Sequence, residues 1–359
     1  RPAYPLDAAD NSVQAIHASH VLEHFSHARV GAVLADWVRA LAPGGTLQLA
    51  VPDFERIVRA YLDGQQLPVE GYVMGGQTDQ HDYHKAIFDE ESLRDAMTEA
   101  GLIGITHWHS TQQDCAALPI SLNLQGTKPP TAWPKTRAVI SVPRLGWNDF
   151  WGCTYEACAS MNIPIHKFTG AFWEQGVARG LGEMLARGCD YILTLDYDTI
   201  FQPQDLQSLI LLAERNPQAD AIAALQVHRS QPTPLMTVQD DDGNPLNRLP
   251  AEAMRGDLTE AATAHFGLTL IRASALQDLP QPWFHGQPDL DGHWGDNRID
   301  PDISFWRHWR DQGRSLFVAN RIPVGHLEVM IRWPGRAMSA TYQHPNDYHA
   351  TGKPEDVWR

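Results

Sequence analysis

The chain contains Tyr191-Ile-Leu-Thr-Leu-Asp196-Tyr197-Asp198-Thr199, an apolar run that ends abruptly in two carboxylates. The run predicts a buried strand, and the carboxylates fall where that strand ends. Two carboxylates one residue apart can both reach one divalent cation, which prefers oxygen ligands and can hold a diphosphate. Because Asp is also common where strands end, the alternative interpretation of this triplet is a solvated turn.

Around this run, strand patterns alternate with helix patterns. Residues 138–142 form an earlier apolar run that predicts a strand. Helical spacing appears on both sides of the carboxylates, in Trp173, Val177, Leu181 and Leu185 and in Leu206, Leu209, Ile210 and Ala213. Such alternation implies crossover connections, and therefore an α/β fold with a mostly parallel sheet and helices on both faces. Ligands bind beyond the carboxyl ends of strands in such sheets, which is where Asp196 and Asp198 fall.

Composition limits the classes of protein to which this site can belong. The 359 residues suggest about two domains. A formal charge of −15 argues against a broad surface for polyanions, so we do not expect nucleic acid binding. The four cysteines form no C-x-x-C pair, which favours a reducing compartment. With no apolar stretch near the ~20 residues of a membrane span and no signal pattern, we expect a cytoplasmic protein without a transmembrane segment. The first residue, Arg1, is not Met, which indicates a segment of something longer.

A break in periodicity divides the chain. Three prolines and a glycine lie between Gln125 and Lys135. We place a linker at residues 126–136, between an N-terminal domain of residues 1–125 and a C-terminal domain of residues 137–359. In the N-terminal part, apolar residues from Val30 to Leu41 share one face of a helix, residues 43–45 (Pro-Gly-Gly) end it, and residues 47–51 alternate as a strand.

Four motifs in the N-terminal part occur together. They are Ala18-Ser-His-Val-Leu-Glu-His-Phe25, Arg39-Ala-Leu-Ala-Pro-Gly-Gly-Thr46, Val51-Pro-Asp-Phe54 and Gly75-Gly-Gln-Thr-Asp-Gln-His-Asp-Tyr-His84. Over residues of about 4–110, they resemble the second half of a class I S-adenosylmethionine (SAM)-dependent methyltransferase. In that family the cofactor is bound by the preceding half, for which nothing in this sequence substitutes. The resemblance therefore implies an incomplete Rossmann-like segment that is not competent alone, and we do not expect it to bind SAM.

Histidines in this part raise the question of a metal. His17, His20, His24 and His27 have spacings of three and four, which could align them on a helix as zinc ligands. Two of them match positions that carry no metal in the methyltransferase family, and no acidic or Cys partner sits at ligand spacing. The sequence therefore predicts no metal site here.

Five motifs in the C-terminal part stand in a fixed order. They are Ala138-Val-Ile-Ser-Val-Pro-Arg144, Gly188-Cys-Asp-Tyr-Ile-Leu-Thr-Leu-Asp-Tyr-Asp-Thr199, His265-Phe-Gly-Leu-Thr-Leu-Ile-Arg272, Asp300-Pro-Asp-Ile-Ser-Phe-Trp306 and Val324-Gly-His-Leu-Glu328. Over residues of about 137–333, they resemble the family-2-like glycosyltransferases of the GT-A fold. The resemblance implies a nucleotide-sugar donor, a UDP- or GDP-sugar, contacted by Pro143, Arg144, Asp196, Tyr197 and Asp198.

The resemblance also implies a metal and a base. Mn²⁺ or Mg²⁺ would be held by Asp196, Asp198 and His326, and would stabilise the departing diphosphate. Asp302 occupies the place of the family's catalytic Asp and would be the general base of an inverting displacement. The family commonly has Glu just before that Asp, whereas here Pro301 intervenes and Asp300 lies two residues back. Which of Asp300 and Asp302 is the base therefore stays open.

Each assignment has a structural alternative. Asp302 could be a helix N-cap, His326 an ordinary buried histidine, and Arg144 the partner of an acid. Trp283 and Trp294 lie in a stretch rich in acids that could bind an acceptor sugar, although a core role suits either Trp equally well.

The sequence as a whole predicts a metal-dependent glycosyltransferase with an appended methyltransferase-like segment. Its acceptor could be a glycan, a lipid-linked glycan or a protein. The alternatives are a SAM-dependent methyltransferase that acts on a glycan and a non-catalytic glycan-binding protein. Neither the donor sugar nor the acceptor can be chosen from the residues.

Overall fold

The computed structural model describes residues 3–111, 113–143, 145–229, 233–240, 243, 245–246, 254–295, 298–335 and 339–357. The chain folds into two compact units. Unit 1 comprises Arg1–Trp133 and Gln207–Arg215, and unit 2 comprises Pro134–Leu206 and Asn216–Arg359. None of the described helices has the length and apolar character that a membrane span needs.

Strands of unit 1 are β1 Val13–Ser19, β2 Leu41–Pro52, β3 Ile103–His107 and β4 Ser121–Thr127. Those of unit 2 are β5 Thr136–Ser141, β6 Ile165–Phe168, β7 Tyr191–Asp196, β8 Thr199–Ile200, β9 Ala221–Leu225, β10 Met236–Thr237, β11 Leu258–Glu260, β12 Thr263–Ala264, β13 Leu268–Arg272, β14 Leu316–Pro323, β15 Gly325–His326, β16 Ile331–Pro334 and β17 Ala340–Gln343. The α-helices are α1 Val30–Ala40, α2 Phe54–Leu62, α3 Val69–Met74, α4 Glu90–Glu99, α5 Asn148–Ser160, α6 Trp173–Arg187, α7 Pro203–Arg215, α8 Ala273–Gln277, α9 Pro301–Asp311 and α10 Pro345–Thr351.

Within the described part of unit 1, four strands form a sheet in the order β1-β2-β4-β3. β1 and β2 are parallel, whereas β4 is antiparallel to both β2 and β3. Helix α1 buries Val33, Leu34 and Trp37, the face that its spacing predicts. Its end differs from the prediction, because Pro43-Gly44-Gly45 lies inside β2 rather than in a turn before it. Gly44, with φ of +79°, allows that bend in the strand.

The histidines at 17, 20, 24 and 27 do not share a helix, so the arrangement considered from their spacing is wrong. His17 lies in β1 and contacts Asp114, with Nε2 and Oδ2 2.7 Å apart. His20 follows β1 with φ of +52°, and His24 and His27 belong to two separate 3₁₀ turns. His17 lies in a strand because residues 13–19 form the edge strand of the sheet, parallel to β2.

The predicted linker is shorter than residues 126–136. Residues 126 and 127 extend β4, where they pair with β2, and Thr136 already begins β5. Irregular backbone is therefore confined to residues 128–135, the part that contains the prolines.

In unit 2, the described residues form a sheet of seven strands in the order β11-β14-β9-β13-β7-β5-β6. β5 is parallel to β6 and to β7, and β9 is parallel to β14. β13 is antiparallel to both of its neighbours, so β7 and β9 run in the same direction. With β11 and β13 as the strands that run the other way, the sheet is mostly parallel, as the sequence predicts.

Helix α6 lies unusually close to this sheet. A Cβ atom at Gly180 would come within 2.3 Å of Val139 Cγ1, and one at Gly176 within 2.4 Å of Ser141 Oγ. These two glycines are one helical turn apart and face β5, so any side chain there would push the helix off the strand. The glycines of α6, which lower its helix propensity, are therefore explained by packing.

An aromatic core lies between the sheet of unit 2 and helix α9. Its rings stack or meet edge to face with centroids 4.9–5.9 Å apart, and they belong to Trp173, Phe266, Phe284, Phe305, Trp306 and Trp309. Such pairs add to the burial of their large apolar area. The core fixes the start of α9, and with it Asp302, below the carboxyl end of β7.

Candidate active site

Asp196 and Asp198 lie at the carboxyl end of β7, the central strand between β5 and β13. Residues 191–195 are buried, Asp196 is half-buried, and Asp198 is 3% exposed. Tyr197 separates the two acids in the tight connection to β8. A buried carboxylate requires a positively charged or hydrogen-bonding partner, and the surrounding elements supply it.

Short strand β15 brings His326 to this place. It pairs antiparallel with β8, so that His326 faces Thr199, and the Leu327 N–H donates to the Asp198 carbonyl oxygen at 2.7 Å. His326 Nε2 lies 3.6 Å from Asp198 Oδ2. Of the three side chains that the sequence grouped as metal ligands, the structure thus places His326 beside Asp198, with Asp196 two residues before Asp198.

The hydrogen bonds of His326 fix its tautomer. Nδ1 lies 3.0 Å from the Val227 carbonyl oxygen, which can only accept, so Nδ1 carries the hydrogen. Nε2 accepts from Arg229 Nε at 2.9 Å. Burial lowers the pKa of His326, and the charge of Arg229 lowers it further against the opposing bond to Val227. The ring is therefore neutral, with a lone pair on the side of Asp198.

Arg229 is a member of the site that the sequence did not reveal. Its Nη2 donates to Asp198 Oδ2 while its Nε donates to His326, so a guanidinium lies between the acid and the imidazole. The residue belongs to no motif. The signal that could have found it is positional, because β9 runs in the same direction as β7 and the residues after it reach the same edge of the sheet.

The charges around Asp196 place Asp302 nearby. Burial raises the pKa of Asp196 to about 6, against a hydrogen bond of 2.9 Å from Trp173 Nε1. The negative charge of Asp302 raises that pKa further, whereas His326 and Arg229 lower it. Asp302, His326 and Arg229 therefore all lie close enough to Asp196 to influence its charge.

Helix α9 distinguishes between the two candidate bases. Its N-cap is Asp300, which corrects the alternative that gave this position to Asp302. Asp300 has a half-exposed side chain that Arg298 holds in two hydrogen bonds of 2.7 and 3.3 Å. Asp302 lies inside the first turn, where its Oδ1 accepts from the Ile303 N–H at 2.8 Å and burial raises its pKa. Of the two, Asp302 is the acid that acts on Asp196.

Two further residues hold the turn that carries Asp198. Gln226, 4% exposed, donates through Nε2 to Thr199 Oγ1 at 3.3 Å and to the Gly325 carbonyl oxygen at 3.2 Å, which joins β8 to β15. The Gly267 carbonyl oxygen accepts from the Asp196 N–H, and a Cβ atom at Gly267 would lie 2.6 Å from Thr199 Oγ1. Both contacts join residues that are far apart in the sequence, so no local residue pattern shows them.

The remaining predicted site residues lie in different surroundings. Pro143 follows β5, which pairs with β7 at the site edge, whereas Arg144 lies outside the described residues. Trp294 is 63% exposed and stays a candidate for acceptor binding. The prediction for Trp283 is wrong, because this ring is 6% exposed in the core and its indole N–H donates to the Leu279 carbonyl oxygen. A buried ring offers no face to a bound sugar.

The set of Asp196, Asp198 and His326 has residue types that suit a divalent cation. It offers two carboxylates and one neutral imidazole, whose Nδ1–H is held by a backbone carbonyl as in metal-binding histidines. Arg229 already places a positive charge between two of these groups. The electrostatic environment is therefore one that a cation stabilises.

Residues 165–279 match the family model described as Glycosyl transferase family 2. The matched part runs from β6 past α8 and contains Asp196, Asp198 and Arg229, whereas Asp302 and His326 lie beyond it. This match agrees with the resemblance seen in the motifs of the C-terminal part and supports glycosyl transfer in general.

Solved structures give two further similarities. A197 from STIV is 13% identical with a TM-score of 0.40, over 58% of this chain and 94% of that one. A SAM-dependent methyltransferase from Thermotoga maritima is 19% identical with a TM-score of 0.25, over 35% of this chain and 61% of that one. The matched part thus spans less than two thirds of the methyltransferase's length, and both likenesses are too distant to assign a function. No curated protein sequence matches the chain.

Proposed function

We propose that unit 2 transfers a sugar from a UDP- or GDP-sugar to a hydroxyl group of a glycan, a lipid-linked glycan or a protein. The observation that carries the proposal is that His326 lies 3.6 Å from Asp198 at the end of β7, with Asp302 close enough to Asp196 to raise its pKa. A site for a diphosphate and an acid beside it are the two parts that such a transfer needs.

Asp196, Asp198 and His326 would hold Mn²⁺ or Mg²⁺. When bound, the ion neutralises the negative charge that grows on the diphosphate as the glycosidic bond breaks. Asp198, the more buried acid, would be the direct ligand, and Asp196 would contact the ribose as well as the ion or its water. Pro143 and Tyr197 lie at the same edge and would line the nucleotide.

Asp302 would be the general base. As the acceptor oxygen attacks the anomeric carbon, its proton passes to the Asp302 carboxylate and the electron pair of the broken bond leaves with the diphosphate. Attack from the face opposite the leaving group inverts the configuration. The burial that raises the pKa of Asp302 also makes its carboxylate a stronger base.

Arg229 would change partners when the donor binds. A divalent ion at Asp198 repels the guanidinium, which is half-exposed and free to swing on its flexible side chain. The donor diphosphate offers a new anionic partner of suitable geometry. Arg229 would thereby hold the site together before binding and help to hold the diphosphate afterwards.

Slow hydrolysis of the donor tests this function without knowledge of the acceptor. A panel of UDP- and GDP-sugars is incubated with the full chain, with Mn²⁺, with Mg²⁺ or with chelator. We expect turnover of at least one donor only with metal, and its loss in Asp198→Ala even at saturating metal. Asp149→Ala, at an exposed position on α5, is the matched control and should keep full turnover.

Three results would count against the proposal. Turnover that survives both chelation and Asp198→Ala would remove the metal site from the mechanism. No turnover of any donor would favour the glycan-binding alternative, and a rise in melting temperature with SAM would favour the methyltransferase.

A further inference from the structure

Unit 1 buries a carboxylate without a hydrogen-bonding partner. Glu23 is 1% exposed, and among the described residues neither of its side-chain oxygens has a hydrogen bond. His20 Nδ1 lies 3.3 Å and His84 Nε2 lies 4.0 Å from Glu23 Oε1. Buried polar groups are nearly always satisfied, so an unsatisfied carboxylate indicates a missing partner.

Two histidines beside Glu23 are held in one tautomer. His24 Nδ1 lies 3.2 Å from the Tyr83 carbonyl oxygen, and His84 Nδ1 lies 3.0 Å from the Tyr72 carbonyl oxygen. Because a carbonyl only accepts, both Nδ1 atoms carry the hydrogen and both Nε2 atoms keep a lone pair. A histidine whose second nitrogen donates to a backbone carbonyl is typical of a metal ligand.

The backbone of unit 1 places Glu23 and His84 next to each other. The Lys85 and Ala86 N–H groups both donate to the Glu23 carbonyl oxygen, at 2.7 and 3.2 Å, which lays the chain after His84 along Glu23. The preceding loop is closed tightly, since a Cβ atom at Gly75 would lie 2.5 Å from the Asp82 carbonyl oxygen. Two motifs about 60 residues apart therefore meet through backbone bonds, whatever the side chains contribute.

We propose that Glu23, His24 and His84 form a binding site for a divalent transition-metal ion, with Zn²⁺ as its reference ligand. One ligand atom from each side chain lies within 4.8 Å of the other two. An ion with bonds of about 2.0–2.2 Å would draw these atoms together by roughly 1 Å, which rotation of the side chains allows. Two imidazoles with one carboxylate suit Zn²⁺ better than Mg²⁺ or Ca²⁺, which prefer oxygen.

Three protein ligands leave one position of a tetrahedral ion open. His84 also lines a small pocket with Pro52, Phe54, Ile57 and Tyr72. His20, with its Nε2 3.1 Å from Ser121 Oγ, would position Glu23 from the other side.

Cobalt absorption tests the site separately from that of unit 2. The full chain is stripped with chelator and titrated with Co²⁺, whose visible bands report a low-coordinate site, and Zn²⁺ is then added in competition. We expect Glu23→Gln and His84→Ala to lose these bands and to weaken Zn²⁺ binding more than about 100-fold, beyond the effect of an outer-shell change. Asp198→Ala and His81→Ala, the latter an exposed histidine of the same loop, should keep them.

Melting temperature gives a second, independent readout. Gln has the shape of the protonated acid, so metal-free Glu23→Gln should melt no lower than the wild type. Zn²⁺ should then raise the melting temperature of the wild type and of His81→Ala, but not that of Glu23→Gln. Equal Zn²⁺ affinity and equal thermal shifts in wild type and Glu23→Gln would overturn the proposal, as would cobalt bands that disappear only in Asp198→Ala.

Discussion

Two carboxylates, one in each unit, are buried almost completely beside histidines. Asp198 is 3% and Glu23 is 1% exposed. Asp198 accepts from the Arg229 guanidinium and lies 3.6 Å from His326. The Glu23 carboxyl group has no hydrogen bond among the described residues, and the nitrogens near it belong to His20 and His84. The two sites use similar residue types but differ in whether a cation is already present.

This difference shows two ways to bury a carboxylate. A buried anion is costly unless a positive charge or hydrogen bonds compensate it. Unit 2 supplies its own cation in Arg229, which an incoming metal must displace. Among its described residues, unit 1 places no such cation beside Glu23. Burial raises the pKa of Glu23 to about 8, so that its carboxyl group keeps a proton at neutral pH. The first arrangement suits an ion that comes and goes with substrate, and the second suits a resident ion.

The largest expected effect is on the rate of sugar transfer, and it separates charge compensation from proton transfer within unit 2. Asp302→Asn should lower the rate of sugar transfer by about 10²–10⁴-fold, the usual contribution of a general base. Mn²⁺ affinity should be nearly unchanged, because Asp302 lies beside the metal ligands and is not one of them. The measurement is steady-state transfer together with Mn²⁺ titration.

Asp311→Asn is the matched control, since it changes an exposed acid at the other end of α9. It should leave both quantities unchanged. If Asp302→Asn weakens Mn²⁺ binding as strongly as it lowers the rate, Asp302 is a ligand rather than the base.

The next largest effect is on the pH dependence of stability. It concerns His265, whose two ring nitrogens both have hydrogen-bond partners. Its Nε2 donates to the Ala224 carbonyl oxygen at 2.7 Å, and its Nδ1 accepts from the Gly267 N–H at 2.9 Å. Burial lowers its pKa to about 4 from 6.5, so between these values the unfolded chain binds more protons. Stability is therefore present above pH 6.5 and is lost as the pH falls towards 4, by roughly 3 kcal/mol in total.

Melting curves of unit 2 between pH 7.5 and 4.5 measure this loss. In His265→Gln, which keeps one donor and one acceptor but cannot be protonated, the acid-induced loss should be smaller. His293→Gln, at a largely exposed histidine, should behave as the wild type. An identical pH dependence in wild type and His265→Gln would show that other groups cause the acid sensitivity.

Local patterns predicted the elements but not the partners of the buried charges. Strand β7, helices α6 and α7 and the acids at 196 and 198 follow from periodicity and from its abrupt end, because these signals lie within one element. Arg229 and His84 carry no such signal, since each becomes important only through a neighbour from a distant part of the chain. The sequence left acceptor binding and a core role equally open for Trp283 for the same reason, because it does not show which ring the core covers.

The smallest expected effect is on Mn²⁺ affinity. It concerns Arg229, the cation that distinguishes the two sites. Arg229→Ala removes a guanidinium that competes with metal at Asp198, so Mn²⁺ should bind several-fold more tightly, a gain of about 1 kcal/mol for a half-exposed pair. The measurement is a Mn²⁺ titration without donor, with Arg307→Ala, an exposed arginine of α9, as the control. Unchanged or weaker Mn²⁺ binding in Arg229→Ala would contradict competition between the two cations. If donor turnover in chelator were also present in the wild type and lost in this variant, the guanidinium itself would be the cation that the diphosphate uses.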